Sequence, residues 1–179
     1  KNWEVMQEDV EDGTRWLIKK GYADPSRICI VGWSYGGYAA LMGAIKDPSL
    51  YKCSVSIAGL TDPKEHVYDM KKFRFGNFAA KNFLLAGFED RDDIRENSPV
   101  KRASEIKVPV FLAHGTKDMQ VNFNQYRRMK SALGNKSGNV YVEYQDGDHS
   151  LTNYADRKDL FAKLDKFLQN NLGASAAAP

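Results

Sequence analysis

Three residues in this sequence, Ser34, Asp118 and His149, have the types and the order needed for nucleophilic acyl chemistry. A serine hydroxyl is a weak nucleophile near neutral pH and needs an adjacent base. Ser34 lies in Gly32-Trp33-Ser34-Tyr35-Gly36, directly after the apolar run Ile28-Cys29-Ile30-Val31 and directly before the helix-prone stretch Tyr38–Ile45. A G-x-S-x-G pentapeptide between a buried strand and a helix is the setting of a nucleophile elbow. The turn crowds the serine backbone, so glycines are expected two residues to either side. It also puts the Tyr35 amide at a helix N-terminus, where it can donate to a developing oxyanion.

Of the three histidines, His66, His114 and His149, only His149 follows a fourth strand-like segment. Its loop, Asp146-Gly147-Asp148-His149-Ser150, precedes the last helix and can carry an imidazole over the sheet edge. His114 ends the strand Val108–Ala113 and reads as a structural hydrogen-bonding residue; His66 falls in an irregular middle segment. The acid of such a triad leaves the strand between elbow and histidine, which selects Asp118 in His114-Gly115-Thr116-Lys117-Asp118. Asp146 and Asp148 compete by proximity to His149 but read as turn-shaping or solvated residues.

The elements that must hold these groups alternate. Met6, Val10, Gly13 and Leu17 share one face of a helix that Gly21 stops. Strands follow at Ile28–Val31, Val55–Ala58, Val108–Ala113 and Val140–Tyr144, with helices at Tyr38–Ile45, Asn122–Leu133 and around Leu160–Leu168. Shorter helical pieces are expected at Glu65–Lys72, Asn77–Ala86 and Asp90–Glu96. Unbroken apolar strands alternating with helices predict an α/β fold, a mainly parallel sheet flanked by helices. One domain is expected over residues 1–172, with a disordered small-residue tail over 173–179.

At 179 residues, 42% hydrophobic and 27% charged, the chain is ordinary for a soluble globular protein. The net charge of +3 is small and the basic residues are scattered, which argues against nucleic-acid binding. No apolar run approaches the ~18 residues of a membrane span. Cys29 and Cys53 read as buried free thiols acting as small hydrophobes, not as a disulfide framework or metal site. The chemistry calls for no metal and no cofactor.

With these residues in place, the chain resembles the peptidase domain of the prolyl oligopeptidase family. The resemblance rests on Gly21–Arg27, Gly32-Trp33-Ser34-Tyr35-Gly36-Gly37-Tyr38-Ala39-Ala40, Ser98-Pro99-Val100, His114–Asp118 and Asp148-His149-Ser150. Tyr51–Gly59 leans toward the acylaminoacyl-peptidase and bacterial dipeptidyl-peptidase branches. The resemblance implies the C-terminal part of an α/β-hydrolase fold and an oligopeptide substrate cut through an acyl-enzyme on Ser34. Matching positions place Tyr35, Leu60 and Val121 near the pocket for the residue before the scissile bond, although Leu60 and Val121 read equally well as core packing. The family also has earlier strands, a second oxyanion donor and usually a β-propeller, so a fragment with weak or no activity of its own is expected. Its first strand would present an unpaired edge, open to self-association or to the earlier part. An esterase using the same triad and a silent interaction fragment are the competing readings.

Overall fold

The computed structural model describes residues 3–72, 78 and 91–173. Four strands, β1 (Cys29–Trp33), β2 (Cys53–Ile57), β3 (Val110–Gly115) and β4 (Val140–Tyr144), form one sheet in the order β1-β2-β3-β4. All three pairings are parallel. The helices are α1 (Trp3–Lys19), α2 (Tyr35–Lys46), α3 (Pro63–Met70), α4 (Arg91–Glu96), α5 (Asn124–Leu133) and α6 (Tyr154–Leu172). Two short 3-10 turns, Pro99–Lys101 and Ala103–Glu105, precede β3. The α/β architecture expected from the sequence is the one observed. The expected helix over Asn77–Ala86 lies outside the described residues except for Phe78, as does the tail beyond Gly173.

Strand periodicity divides the core in two. In β3, Val110 and Leu112 join a cluster with Leu41, Met42, Tyr126 and Met129 from α2 and α5. The alternate residues Phe111 and Ala113 join Val55 of β2, Val142 of β4, and Leu160, Leu164 and Phe167 of α6. Because side chains alternate across a strand, helices on both faces bury both sets. The inner strands β2 and β3 are buried throughout, whereas β1, at the edge, exposes nearly half of Val31.

Two sequence expectations are corrected here. Cys29 and Cys53 are not free thiols: they are register partners on β1 and β2, their Cα atoms 4.7 Å apart, and they are joined as a disulfide. Twenty-four residues separate them in sequence, so the pairing becomes visible only once the sheet register is known. Second, the face of α1 marked by Met6, Val10 and Leu17 is not its buried face. Trp3 and Gln7 are the buried residues, Trp3 stacking edge-on against Tyr38 of α2 at 4.7 Å. Met6, Val10 and Leu17 stay more than a third exposed.

Closing a loop of this length removes denatured-state entropy amounting to about 3 kcal/mol. Reduction, or Cys29→Ala with Cys53→Ala, is therefore expected to lower unfolding stability by up to that amount, read as a shift in the urea midpoint under oxidising and reducing conditions.

Candidate active site

Ser34 joins β1 to α2 with φ 58° and ψ −121°, in the left-handed half of backbone space that non-glycine residues rarely occupy. Its amide donates to the Ile57 carbonyl at 2.9 Å, which ties the elbow to the end of β2. A Cβ on Gly32 would collide with the Gly36 carbonyl, so the first glycine is sterically required. The second expectation needs correcting. A Cβ on Gly36 would meet nothing, whereas one on Gly37 would lie 2.8 Å from Ser56 Oγ and 2.9 Å from Gly59 Cα. Gly37 is the glycine that lets α2 approach the β2 end. Tyr35 opens α2, and the first N–H groups of a helix lack intrahelical acceptors, so its amide is free to serve an anion. The Tyr35 side chain packs beside Trp3 and Tyr38, and burial pushes its hydroxyl pKa upward.

Asp118 and His149 come together. Asp118 Oδ2 accepts from His149 Nδ1 at 2.7 Å, with the aspartate side chain fully buried and the imidazole 12% exposed. Asp118 Oδ1 accepts from the Gln120 and Val121 amides, each at 2.8 Å. His114, itself buried, brings Nε2 to 3.0 Å from Asp118 Oδ2 and 2.9 Å from the Val121 carbonyl. Both neighbours are acceptors, so that nitrogen carries the proton and His114 is the hydrogen-bonding residue its position suggested. Burial works to raise the Asp118 pKa, but the hydrogen bonds from His114, His149, Val121 and Gln120 outweigh it and hold the carboxyl below the usual range.

The loops bearing this pair are laced together. Gly115 and Tyr144 end β3 and β4 in register. Beyond them Thr116 N donates to Tyr144 O, and Lys117 N to Gly147 O, both at 2.9 Å. A Cβ on Gly115 would strike the Gly147 carbonyl, so the close approach of the loops requires glycine there. Asp148 accepts from the Thr152 amide and hydroxyl, Asp146 pairs with Lys117 at 2.9 Å, and neither touches His149 by an ionic contact. Arg157 of α6 holds the Ser150 and Leu151 carbonyls. Trp33, the residue before Ser34, donates from Nε1 to the His149 carbonyl at 2.8 Å. That bond fastens the histidine loop to the elbow strand, and only the indole's donor-only chemistry hinted at it in the sequence. Ser34 is half-buried, and its hydroxyl makes no hydrogen bond among the described residues.

Val121 is buried and meets the pair through its backbone, donating to Asp118 and accepting from His114. Leu60, 5% exposed, packs in the α2–α5 cluster. His66 was set aside in the sequence, yet it lies within electrostatic range of both Asp118 and His149. Burial lowers its pKa, and its Nδ1 is buried without a hydrogen-bond partner. Asp62 caps α3, which carries His66, and Gln125 binds the Thr61 and Asp62 amides at 2.9 and 2.6 Å. Among the described residues no cluster of histidine, cysteine and carboxylate side chains could hold a metal ion.

A parallel sheet covered on both faces, with a serine elbow after one strand and an aspartate–histidine pair on the loops after two others, defines the α/β-hydrolase class. A model of the prolyl oligopeptidase family matches residues 1–175, and this chain belongs to that family of serine peptidases. It is similar to the dipeptidyl aminopeptidase BIII of Pseudoxanthomonas mexicana, 28% identical over 96% of this chain and 25% of the relative. Dipeptidyl peptidase 4 of Sus scrofa is 31% identical over 90% of this chain and 20% of its own length. Among solved structures, a puromycin-hydrolysing peptidase of Mycobacterium tuberculosis superposes with a TM-score of 0.78 at 27% identity, covering 96% of this chain and 26% of that one. The chain thus spans a fifth to a quarter of the length of these curated relatives.

Two substitutions separate the elbow glycines. Gly37→Ala is expected to cost about 1–3 kcal/mol by overpacking against Ser56 and Gly59, while Gly36→Ala stays within about 1 kcal/mol of the parent; denaturant midpoints check both. Asp118, with a folded pKa below its unfolded value near ~3.9, contributes stability above that pH which is lost as pH falls through the folded value. Asp118→Asn should flatten this acid limb in urea unfolding followed from about pH 7 to about pH 3.

Proposed function

We propose that this chain carries the catalytic triad of a serine peptidase, with Ser34 as nucleophile, His149 as base and then acid, and Asp118 as the carboxylate that orients it. The observation that carries the reading is the buried 2.7 Å bond from His149 Nδ1 to Asp118. It fixes the proton on Nδ1 and leaves Nε2 as the acceptor for a serine hydroxyl. Trp33, adjacent to Ser34 and bonded to His149, supports the assignment of Ser34 to the same unit.

In this reading Ser34 Oγ attacks the substrate carbonyl carbon while its proton passes to His149 Nε2. The carbonyl π electrons move to oxygen, and the Tyr35 amide donates to that oxyanion. The tetrahedral intermediate collapses as the C–N bond breaks, and the imidazolium gives its proton to the leaving amine. An ester on Ser34 remains. Water, deprotonated by His149, then attacks that ester, releasing the acid and returning the proton to Ser34. Asp118 stays ionised throughout and stabilises the imidazolium. Its hydrogen bonds, which hold its pKa down, suit it to that part. The substrate class is oligopeptides, in line with the peptidase relatives, and Leu60 and Val121 are assigned as neighbours of the acyl-side pocket.

A fluorophosphonate probe is expected to label Ser34 in the parent chain and to leave Ser34→Ala unlabelled, with the modified peptide identified by mass spectrometry. Asp118→Asn should slow turnover of an aminoacyl- or dipeptidyl-nitroanilide by about 10⁴-fold through loss of the correct tautomer. Absence of labelling in a folded parent chain would contradict the triad. Turnover of p-nitrophenyl acetate with no cleavage of any peptide anilide would favour an esterase.

A further inference from the structure

In β3, Val110-Phe111-Leu112-Ala113-His114-Gly115, the one ionisable side chain is His114. The strand lies inside the sheet with a neighbour on each side, and His114 is 1% exposed. Burying an imidazole costs desolvation that an apolar residue would avoid. Phe123 and Tyr126 flank the ring edge-on at 5.9 and 6.2 Å and fix its plane. Nε2 reaches two acceptors at once, Asp118 Oδ2 at 3.0 Å and the Val121 carbonyl at 2.9 Å.

The aspartate oxygen it meets is the one that accepts from His149 Nδ1 at 2.7 Å. The Gln120 and Val121 amides take up Oδ1, so both imidazoles converge on Oδ2. Bracing the loop needs no such sharing, since a bond from His114 to the Val121 carbonyl would do that alone. Two donors on one carboxylate oxygen divide its charge, and each weakens the oxygen's hold on the other's proton. Burial pushes the Asp118 carboxyl upward, and of the hydrogen bonds that outweigh it the one from His114 contributes most.

We infer that His114 is a positioning residue that acts on His149 through Asp118: its N–H draws charge from Oδ2 and limits how strongly the aspartate keeps a proton on His149. An imidazole beside an unshared buried carboxylate stays protonated to higher pH, and a protonated base cannot take a proton from a hydroxyl. His114 thereby widens the range near neutral pH in which His149 can act. This role rests on Asp118 and His149 being the carboxylate and base proposed above. Among the described residues, the other charges on the His149 side are occupied: Asp148 by Thr152, Asp146 by Lys117, and Arg157 by the Ser150 and Leu151 carbonyls. On the β4 side Glu143, the register partner of His114, pairs with Lys130. His66 of α3 lies within electrostatic range of Asp118 and His149 and is the same in every variant below.

A ring-proton NMR titration of His149 in the 179-residue chain tests this without turnover. His114→Met removes the donor at similar volume, and the His149 midpoint is expected to rise by about half a pH unit or more. His114→Gln places an amide N–H where Nε2 stood and should return the midpoint toward that of the parent. If His114 only braced the loop, His114→Met would loosen the Asp118–His149 bond and the midpoint would fall or stay; either result overturns the inference. The unsubstituted chain supplies a second test, free of any folding defect. There the His114 Nε2–H resonance should move with the midpoint of His149, and a resonance that ignores it overturns the inference as well. In fluorophosphonate labelling, the pH of half-maximal rate should rise in His114→Met by the same amount. A parent that fails to label while the midpoint still shifts would remove the triad reading alone, whereas normal labelling with an unmoved midpoint would remove this one alone.

Discussion

The bond between Asp118 and His149 governs the arrangement of everything near Ser34. A buried carboxylate is expensive unless nearly all of its lone pairs are engaged. Asp118 meets that condition with two backbone amides and two imidazoles. The cost of leaving any one of these donors unmade holds the loop after β3 in a single shape. That loop in turn presents the Gln120 and Val121 amides inward and shapes one side of the site. The serine lies outside this network, tied to it through Trp33 and the shared sheet.

Much of this was readable in the sequence because the constraints are local. A buried strand, a glycine-flanked serine and an Ala- and Leu-rich helix are contiguous, so the elbow is encoded in about fifteen residues. The order of strands followed from alternating apolar runs, and the pairing of Asp118 with His149 from the loops that end two of them. Asp146 and Asp148, though nearer to His149 in sequence, do not meet its imidazole, which is bonded to Asp118. Each is occupied by its own turn or loop partner, Lys117 and Thr152 respectively.

What stayed hidden depends on distance across the sheet. The Cys29–Cys53 disulfide follows from parallel register, which no spacing along the chain reveals. The importance of Gly37 over Gly36 comes from the approach of α2 to Ser56 and Gly59. His66 enters the field of Asp118 and His149 only because Gln125 and Arg128 hold the start of α3 against α5. The misread face of α1 has a different origin. Periodicity identifies an apolar stripe but not its partner, and here the stripe points away from this chain's own core.

The central claim is that Ser34, His149 and Asp118 act as one unit. A crystal structure of the chain after reaction with a fluorophosphonate tests it most directly. The account predicts phosphorus bonded to Ser34 Oγ, a phosphoryl oxygen on the Tyr35 amide, and His149 Nε2 within hydrogen-bonding distance of the adduct with its bond to Asp118 intact. An ordered adduct with the His149 ring turned away from it, or phosphorus on another residue, would contradict the account.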